Sequence, residues 1–522
     1  MKHKIEITNT AIIINDYNLG DCPKIENSFK SYDPIRHTNF FIAMHYDEDA
    51  KKLYLPRGID IWFVENAIGE EAYPRVNEYY RYQTFDDVWM KFKPRDEVQK
   101  EALRFTLSKG EYRNNEKRSQ LSLNLPTGKG KTFVMITTLA YYGIRGIIIT
   151  SSIEWLNQWN DRTVEYTNIP ERDIYHISGS ANISRIMNQE QSSLDRYKLF
   201  LVTHDTLYSY ASNNGWESIG DLFRHLKIGI KVFDEAHLNF DTMCMIDYYT
   251  NVYKTYYLTA TPAKSDHRAN MIYQTSFKNV PGIELFDPET DPHTNYVAIH
   301  YNSRPTPIQV SSCRNAKYGL DRNRYTDYVV HQPNFSKLLI IIMDLALKAT
   351  MKPGTKMLFF IGTNKAIGVV YEFLINTFPF LENDIGIYTS VVSKEEKEIA
   401  KTKRVILSTT KSAGAAVDIP GLKVTVVLAE PFKSEVITKQ TLGRTRADNT
   451  MYIEAVDKGF SQCMKYYYDK QSILKTYAKS CSVIRLSDLD LENRSNEILE
   501  KMLDEPRTED GRLIMVVPIN KK

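Results

Sequence analysis

The chain has 522 residues, too many for a single hydrophobic core, and this length predicts roughly two to four domains. Hydrophobic residues make up 42% and charged residues 25% of the chain, as in ordinary globular proteins, so wholesale disorder is excluded. The net charge of +3 gives no strong overall basic field, and a nucleic-acid ligand would therefore need local basic patches.

Cysteine spacing and apolar runs argue against further classes of protein, namely zinc-binding, disulfide-rich, membrane and secreted proteins. The five cysteines are scattered, with no C-x-x-C pair, which argues against a zinc site or a disulfide framework. This pattern predicts that the protein is located in a reducing cytoplasm, which would be that of the host cell if the source is a virus. The longest apolar run, 338–347, is about half the length that a membrane helix needs and contains Asp344. The apolar core near the N-terminus is too short for a signal peptide.

Residues 1–88 predict a small α+β accessory domain. Strand-like segments are "KIEITNTAIII" (4–14) and "KKLYLPRG" (51–58), with turn signals at 18–20 and 56–58. We expect this domain to precede the main body of the chain.

From residue 89 the pattern changes to short apolar runs alternating with helical stretches. Runs without polar alternation are typical of parallel strands that are buried on both faces. Residues 89–285 therefore predict a doubly wound α/β domain. The strand segments are "QLSLNL", "GIIIT", "KLFLVT", "IKVF" and "TYYLTA".

The same pattern resumes later in the chain. The segment 279–333 has six prolines and no clear period, which predicts an inter-domain linker at 286–333. Residues 334–485 then predict a second α/β domain, which indicates a duplicated architecture. Within the C-terminal tail, 486–522, "SDLDLENRSNEILEKML" predicts a surface amphipathic helix. The strand segments of this half are "KMLFFIG", "DIGIY", "RVILST", "KVTVVLA" and "TMYIEAV".

The segment "LPTGKGKT" (125–132) joins a predicted strand to a predicted helix through a glycine turn. Such a turn directs backbone N–H groups and the helix dipole at phosphate oxygens. Lys131 would reach the β- and γ-phosphates, and the Thr132 hydroxyl would bind Mg²⁺. Leu125 stands where the full phosphate-loop pattern has its first glycine, and a chance glycine turn is the alternative.

A second polar segment, "IKVFDEAH" (230–237), places two carboxylates at the end of a buried strand. Ligands bind at this edge of parallel sheets. Asp234 would hold Mg²⁺ and Glu235 would polarise an attacking water. The alternative is an acidic helix N-cap. The two segments together favour ATP hydrolysis.

These segments resemble the motifs of superfamily 2 helicases, across residues 90–480 in all. "LPTGKGKT", "VFDEAH" and "LTATP" are similar to motifs I, II and III. The motif sequences are most similar to those of phage UvsW-like enzymes, and those of the RecG and XPB motors are related. The remaining resemblances are "KPRDEVQKEAL" (93–103) to the Q-motif, "ITSSIEWLNQW" (149–159) and "VTHDTL" (202–207) to the nucleic-acid-facing motifs Ia and Ib, "LFFIGT" (358–363) to motif IV, "ILSTTKSAGAAVDIPGL" (406–422) to motif V and "KQTLGRTRAD" (439–448) to motif VI.

The resemblance implies two tandem RecA-like domains that bind ATP and Mg²⁺ and act on nucleic acid. Lys131, Asp234 and Glu235 would be catalytic, with Thr132 and Asp234 holding Mg²⁺. An arginine of motif VI would contact the γ-phosphate, and residues of motifs II and III would couple hydrolysis to movement. The implied nucleotide-binding residues are Gln99, Thr127, Gly128, Lys129, Gly130, Lys131, Thr132 and Asp418, the arginines are Arg444 and Arg446, and the coupling residues are His237, Thr259 and Thr261.

The sequence departs from the family pattern in three places. In motif VI, Ala447 occupies the last arginine position, so either Arg444 or Arg446 is the γ-phosphate arginine. Three residues separate Gly414 from Asp418 in motif V, which implies a longer loop. In the Q-motif region, Gln99 lies four residues after Arg95 instead of three.

Two side-chain sets have structural alternatives. Trp155 and Trp159 lie four residues apart on one helical face, and such a pair is more often core than a base-stacking platform. His237 has helix capping as its alternative role, and Thr259 and Thr261 have strand-end capping.

The preferred function is an ATP-dependent DNA helicase or translocase of the DEAH-box type, acting in replication, recombination or repair. The accessory domain would then grip DNA, by analogy alone. An RNA helicase is one alternative, since both activities contact a sugar–phosphate backbone. A nucleotide-gated clamp without motor activity is the other.

Overall fold

Two compact units make up the protein in the computed structural model, residues 1–286 and 287–522. The structure describes most of the chain, and none of the helices in the described part is both long and apolar enough to cross a membrane. The described residues are 4–33, 37–74, 79–125, 129–259, 267–285, 294–315, 319–413, 419–432, 435–442 and 450–504.

The N-terminal residues form a small sheet, as predicted. Its strand order is β5-β6-β2-β1-β7, with β7 parallel to β1 and the other pairs antiparallel, while β3 and β4 form a separate hairpin. The elements are β1 (Lys4–Ile7), β2 (Ala11–Asn15), α1 (Pro23–Phe29), β3 (Lys30–Asp33), β4 (Thr38–Phe41), β5 (His45–Asp47), β6 (Lys52–Pro56), α2 (Ile61–Ile68) and β7 (Ala72–Pro74).

A seven-stranded, all-parallel sheet follows in the same unit, with strand order β10-β11-β9-β12-β13-β8-β14. The elements are α3 (Glu97–Thr106), β8 (Gln120–Asn124), α4 (Lys131–Tyr142), β9 (Gly146–Thr150), α5 (Ile153–Tyr166), β10 (Ile174–Ile177), α6 (Ser180–Met187), β11 (Leu199–Thr203), α7 (His204–Asn214), α8 (Glu217–His225), β12 (Ile230–Phe233), α9 (Phe240–Tyr249), β13 (Lys254–Thr259), α10 (His267–Phe277) and β14 (Gly282–Glu284).

The central strands of this sheet are buried throughout, because apolar side chains pack on both of its faces. One core joins the sheet to α3, α4 and α5. The other joins it to α6–α10 and also to the N-terminal sheet. The predicted boundary at residue 88 therefore does not separate two independent cores.

Polar contacts fix the N-terminal sheet to α9 and α10. The Ala43 amide donates to Asp241 Oδ1 at 3.1 Å, and Tyr248 donates to the Ala43 carbonyl at 2.9 Å. Arg268 of α10 donates to three main-chain carbonyls around the end of α1, those of Asn27, Ser28 and Lys30. The accessory sheet is thus part of the first unit.

The second unit contains another all-parallel sheet, with strand order β17-β18-β16-β19-β20-β15-β21. The elements are β15 (Thr294–Tyr301), α11 (Pro307–Ser312), α12 (Arg322–Val329), α13 (Pro333–Ala349), β16 (Lys356–Ile361), α14 (Asn364–Thr377), β17 (Ile385–Tyr388), α15 (Lys394–Thr402), β18 (Val405–Ser408), α16 (Thr410–Ala413), β19 (Leu422–Ala429), α17 (Glu435–Leu442), β20 (Thr450–Asp457), α18 (Ser461–Asp469), α19 (Gln471–Tyr477), β21 (Ser480–Arg485) and α20 (Asp488–Asp504).

The prediction of a linker at 286–333 is wrong over most of its described length. Strand β15 pairs with β20 along all eight of its residues and with β21 on its other side. Helices α11 and α12 follow within the same stretch. Pro305 precedes α11 and Pro307 is its first residue, so neither interrupts the strand. The predicted amphipathic helix of the C-terminal tail is present as α20, which buries Leu491 in the core that includes α13.

The two sheets confirm the predicted fold class of tandem RecA-like α/β domains with a small N-terminal sheet. All ten strand segments predicted in the two α/β domains are strands of these sheets.

Candidate nucleotide and magnesium site

The glycine turn between β8 and α4 has the conformation that its sequence predicts. Gly130 is the N-cap of α4 and has a φ of +92°, a left-handed value that favours glycine. A Cβ at Gly130 would lie 2.3 Å from Gln99 Nε2, so the absence of a side chain lets Gln99 approach the turn. Helix α4 begins at Lys131 with amides that have no partner within the helix, an arrangement suited to an anion.

Gln99 is held against this turn by backbone contacts. Its amide donates to Asp96 Oδ1 at 2.8 Å, and its Oε1 accepts from the Arg95 amide at 3.0 Å. Burial alone would raise the pKa of Asp96, but the Gln99 amide and the charges of Arg95 and Lys129 lower it below its usual value. Gln99, Lys129, Gly130 and Lys131 are therefore neighbours. The predicted residues Thr127 and Gly128 lie outside the described residues.

Lys131, at the start of α4, lies close to the two carboxylates that follow β12. These carboxylates belong to residues 234–237, which we call the DEAH segment. Lys131 Nζ lies 3.1 Å from Glu235 Oε1, and both side chains are about nine-tenths buried. Asp234 follows strand β12 directly, and its Oδ1 accepts from the Glu235 amide at 3.1 Å. Glu235 has a φ of +49°, a strained value for a residue other than glycine.

Burial dominates the electrostatics of Asp234. Burial and the negative charge of Glu235 raise the pKa of Asp234 to about 6, against the lowering effect of the Lys131 cation. Trp159 of α5 also donates from Nε1 to Asp234 Oδ2 at 2.8 Å. The Asp234 carboxylate therefore interacts with the Lys131 cation, the Glu235 anion and two N–H donors.

The donor set at this edge fits Mg²⁺. Thr132, a half-buried residue in the first turn of α4, carries a hydroxyl, and Asp234 carries a carboxylate. Mg²⁺ prefers oxygen ligands and commonly takes only one or two carboxylates together with substrate phosphates. The described residues contain no larger cluster of acidic, histidine or cysteine side chains that would favour a different metal.

His237 connects the DEAH segment to the end of strand β13. Its Nδ1 is 2.9 Å from Thr259 Oγ1 and 3.4 Å from Glu235 Oε2. The side chains of His237 and Thr259 are both buried. The two predicted coupling residues are therefore in direct contact, although their coupling role stays a prediction. The third, Thr261, lies outside the described residues.

The second unit leaves its predicted site residues untested. Asp418, Arg444 and Arg446 lie outside the described residues, so their roles stay predictions. In the described part of motif V, the amide and the hydroxyl of Thr410 both donate to the buried carboxylate of Glu430, which follows strand β19.

Sequence reasoning did not anticipate the role of Trp159 in the site. Trp155 and Trp159 are both buried, which confirms the core interpretation of this pair. A buried indole needs an acceptor for its N–H, and this requirement was the only available signal that Trp159 would contact a polar group.

His204, in the motif Ib segment, is also buried. Its Nδ1 is 2.9 Å from the Thr150 carbonyl, and its ring stacks on Phe233 next to the DEAH segment. Burial lowers the pKa of His204 to about 4.

We expect the stability of the first unit to fall between pH 6.5 and about 4. In this range the unfolded chain binds a proton at His204 and the folded chain does not, so unfolding becomes more favourable as pH falls. The effect should approach about 3 kcal/mol at the acidic end. Urea unfolding of the parent and His204→Gln at several pH values measures it. An identical pH slope for both proteins would contradict the prediction.

A family model matches the part of the chain that contains this site. The family model described as "Type III restriction enzyme, res subunit" (ResIII) matches residues 91–264, which contain the glycine turn and the DEAH segment. No curated protein sequence matches the chain.

Solved structures resemble the chain at low sequence identity, and this likeness concerns the fold alone. The type ISP restriction-modification enzyme LlaBIII, bound to DNA, is 14% identical with a TM-score of 0.51, over 78% of this chain and 33% of that one. Dbp5 of S. cerevisiae, bound to RNA and ADP BeF3, is 15% identical with a TM-score of 0.49, over 78% and 95%. T4 UvsW is 14% identical with a TM-score of 0.36, over 93% and 99%.

The resemblance predicted from the motifs agrees with these findings: residues 91–264 match the ResIII family model, and the two all-parallel sheets have the expected tandem RecA-like arrangement.

Proposed function

We propose that the chain is an ATP-dependent DNA helicase or translocase that unwinds or branch-migrates DNA in replication, recombination or repair. The observation that carries the proposal is the buried Lys131–Glu235 ion pair, 3.1 Å apart, beside Asp234 and a left-handed glycine turn. A phosphate-binding turn and a carboxylate pair at one sheet edge are the parts that triphosphate hydrolysis requires.

The ion pair suggests how nucleotide binding would prepare the site. Without a nucleotide, Lys131 neutralises Glu235. A triphosphate at the N-terminus of α4 would attract Lys131 to its oxygens, leaving Glu235 to orient and deprotonate the attacking water. Mg²⁺ held by Thr132 and Asp234 would supply positive charge to the phosphate oxygens.

Residues of the second unit would complete the reaction. An arginine of motif VI, Arg444 or Arg446, would stabilise the charge that builds on the transferred phosphoryl group, an effect worth about 10³–10⁵ in rate. The contact depends on the γ-phosphate, so hydrolysis would release it and reset the grip on nucleic acid. His237 and Thr259, in contact between motifs II and III, would transmit the change.

DNA is the preferred substrate because the matched family is one of restriction enzymes and the motifs resemble those of phage DNA helicases. The charge distribution indicates where DNA would bind. Residues 1–88 contain fifteen acidic and ten basic residues, whereas residues 89–522 carry an excess of eight positive charges. Phosphate contacts therefore fit the α/β units better than the N-terminal sheet, which is a poor match for the predicted DNA-gripping role.

Phosphate release in the presence of single-stranded DNA, forked DNA, four-way DNA and matched RNA tests the proposal. We expect DNA to stimulate hydrolysis and Lys131→Ala to abolish it, while Lys100→Ala on the exposed face of α3 leaves it unchanged. Unwinding of matched DNA and RNA forks separates the alternatives. RNA-only unwinding would replace the DNA assignment, hydrolysis without strand movement would indicate a clamp, and unchanged hydrolysis in Lys131→Ala would overturn the site.

A further inference from the structure

The indole of Trp159 forms a hydrogen bond that the general scheme for ATP hydrolysis does not include. Its Nε1 donates to Asp234 Oδ2 at 2.8 Å, and the side chain is only 2% exposed. A hydrogen bond to a charged group in such a setting is stronger than one between neutral groups. We propose that Trp159 is a positioning residue that holds the Asp234 carboxylate in the orientation needed to bind Mg²⁺, an inference that rests on the proposed function.

The geometry of α5 explains how a residue two turns into a helix reaches this carboxylate. Strand β9 lies next to β12 in the sheet, and α5 begins just after the end of β9, with Ser152 as its N-cap. Side chains on a helix tilt towards its N-terminus. The indole of Trp159 therefore points back towards the carboxyl edge of the sheet, where Asp234 follows β12.

Each oxygen of the Asp234 carboxylate accepts a hydrogen bond from a different donor. Oδ2 accepts from Trp159, and Oδ1 accepts from the Glu235 amide at 3.1 Å. A carboxylate has about four lone-pair sites, so one on each oxygen stays available for a metal or its waters. With both oxygens held, the carboxylate has one preferred orientation.

Nearby charges make this restraint necessary. The Lys131 cation interacts favourably with Asp234 as well as with Glu235. An Asp234 carboxylate released from Trp159 would be free to turn towards that cation, away from a metal. The indole is a neutral donor, so it orients the carboxylate without supplying a charge that would repel Mg²⁺.

The same helix begins in the segment predicted to face nucleic acid. Ser151, just before the N-cap of α5, accepts from Asn239 Nδ2 at 3.1 Å, and Asn239 follows the DEAH segment. The start of α5 and its second turn are thus both bonded to residues in or beside the DEAH segment. This double attachment fixes α5 and makes the position of the Trp159 indole well defined.

Trp159→Phe removes the donor and keeps an aromatic ring in the core, and Trp155→Phe is the matched control on the same buried face. We expect Trp159→Phe to raise the Mg²⁺ concentration for half-maximal hydrolysis about tenfold, as for loss of a hydrogen bond to a charged group. The kcat at saturating Mg²⁺ and ADP binding in EDTA should change little. Calorimetric titration of Mg²⁺ into the ADP-bound proteins should show the same loss of metal affinity.

Equal Mg²⁺ dependence in Trp159→Phe, Trp155→Phe and the parent would overturn the inference while leaving the proposed function intact. A parent protein that neither binds nor hydrolyses ATP would instead overturn the proposed function. The two failures are therefore distinguishable.

A measurement on the parent protein makes the test independent of the folding of Trp159→Phe. The chain has five tryptophans, and the indole N–H signal of Trp159 can be assigned by elimination, through Phe replacements of the other four. We expect this signal to shift when Mg²⁺ is added to the ADP-bound protein, because the acceptor carboxylate gains a metal. An unchanged Trp159 signal at saturating Mg²⁺ would contradict the inference.

Discussion

Replacing Glu235 by Gln is expected to lower ATP turnover by about 10²–10⁴-fold, the usual contribution of a general base. Glutamine preserves the size of the side chain but cannot accept the proton of the attacking water. Nucleotide affinity should be kept or improved, because Lys131 would no longer be paired with a carboxylate at 3.1 Å and would be available to phosphate. Single-turnover hydrolysis and titration with a fluorescent ATP analogue measure the two effects.

Glu217→Gln is the matched control for this experiment. Glu217 is an exposed carboxylate in the first turn of α8, in the same unit. Its replacement should leave both turnover and affinity unchanged. If Glu235→Gln hydrolysed ATP as fast as the parent, Glu235 would not be the base, and the assignment of the DEAH segment would have to be revised.

Replacing Lys231 by Met is expected to destabilise the first unit by about 3–5 kcal/mol, the typical cost of leaving one member of a buried ion pair alone. Lys231, on strand β12, is fully buried, and its Nζ lies 2.5 Å from Asp247 Oδ1 of α9. Methionine has a similar shape but carries no charge. The midpoint of thermal unfolding should fall by about 10 °C, by the usual scaling for a domain of this size.

The double variant Lys231→Met/Asp247→Leu is the control that separates charge from packing. Removing both charges also removes the unpaired carboxylate, so most of the lost stability should return. Recovery is expected to be incomplete because Tyr257 donates to Asp247 Oδ2 at 2.6 Å and would lose its acceptor. A double variant less stable than Lys231→Met would show that the pair itself stabilises the fold.

The central strands were predictable because burial on both faces leaves a clear mark in the sequence. Segments such as "GIIIT" and "KMLFFIG" are apolar through their centres, without polar alternation, and both lie inside their sheets as β9 and β16. The strands that were missed at sheet edges, β10, β14 and β21, are partly exposed and mix polar with apolar residues. Their pairing depends on the neighbouring strand more than on their own sequence.

Strand β15 was missed for a different reason. It lies inside the second sheet, between β20 and β21, yet its sequence "TNYVAIHY" follows a proline-rich stretch. Its residues pair with residues at least 156 positions later in the chain, as in the pairing of Thr294 with Thr450. Local patterns do not carry information about contacts at that distance.

The site residues also separate into those that local sequence predicts and those that depend on distant contacts. Lys131, Asp234 and Glu235 were found because each belongs to a short segment with its own chemical logic, and the fold then brought Lys131 and Glu235 into contact. Trp159 was found only in the structure, since its partner lies 75 residues away. The packing of α5 on the sheet decides that contact.

The attachment of the N-terminal sheet to α9 and α10 has a practical consequence for work with shortened chains. Removing residues 1–88 would leave the side chain of Arg268 without its carbonyl acceptors and would expose Tyr248 and Tyr249, on which Tyr54 packs. A chain truncated in this way would thus expose an apolar surface to solvent and should tend to aggregate. Loss of activity on such a truncation would report disruption of the first unit as readily as loss of a separate accessory function.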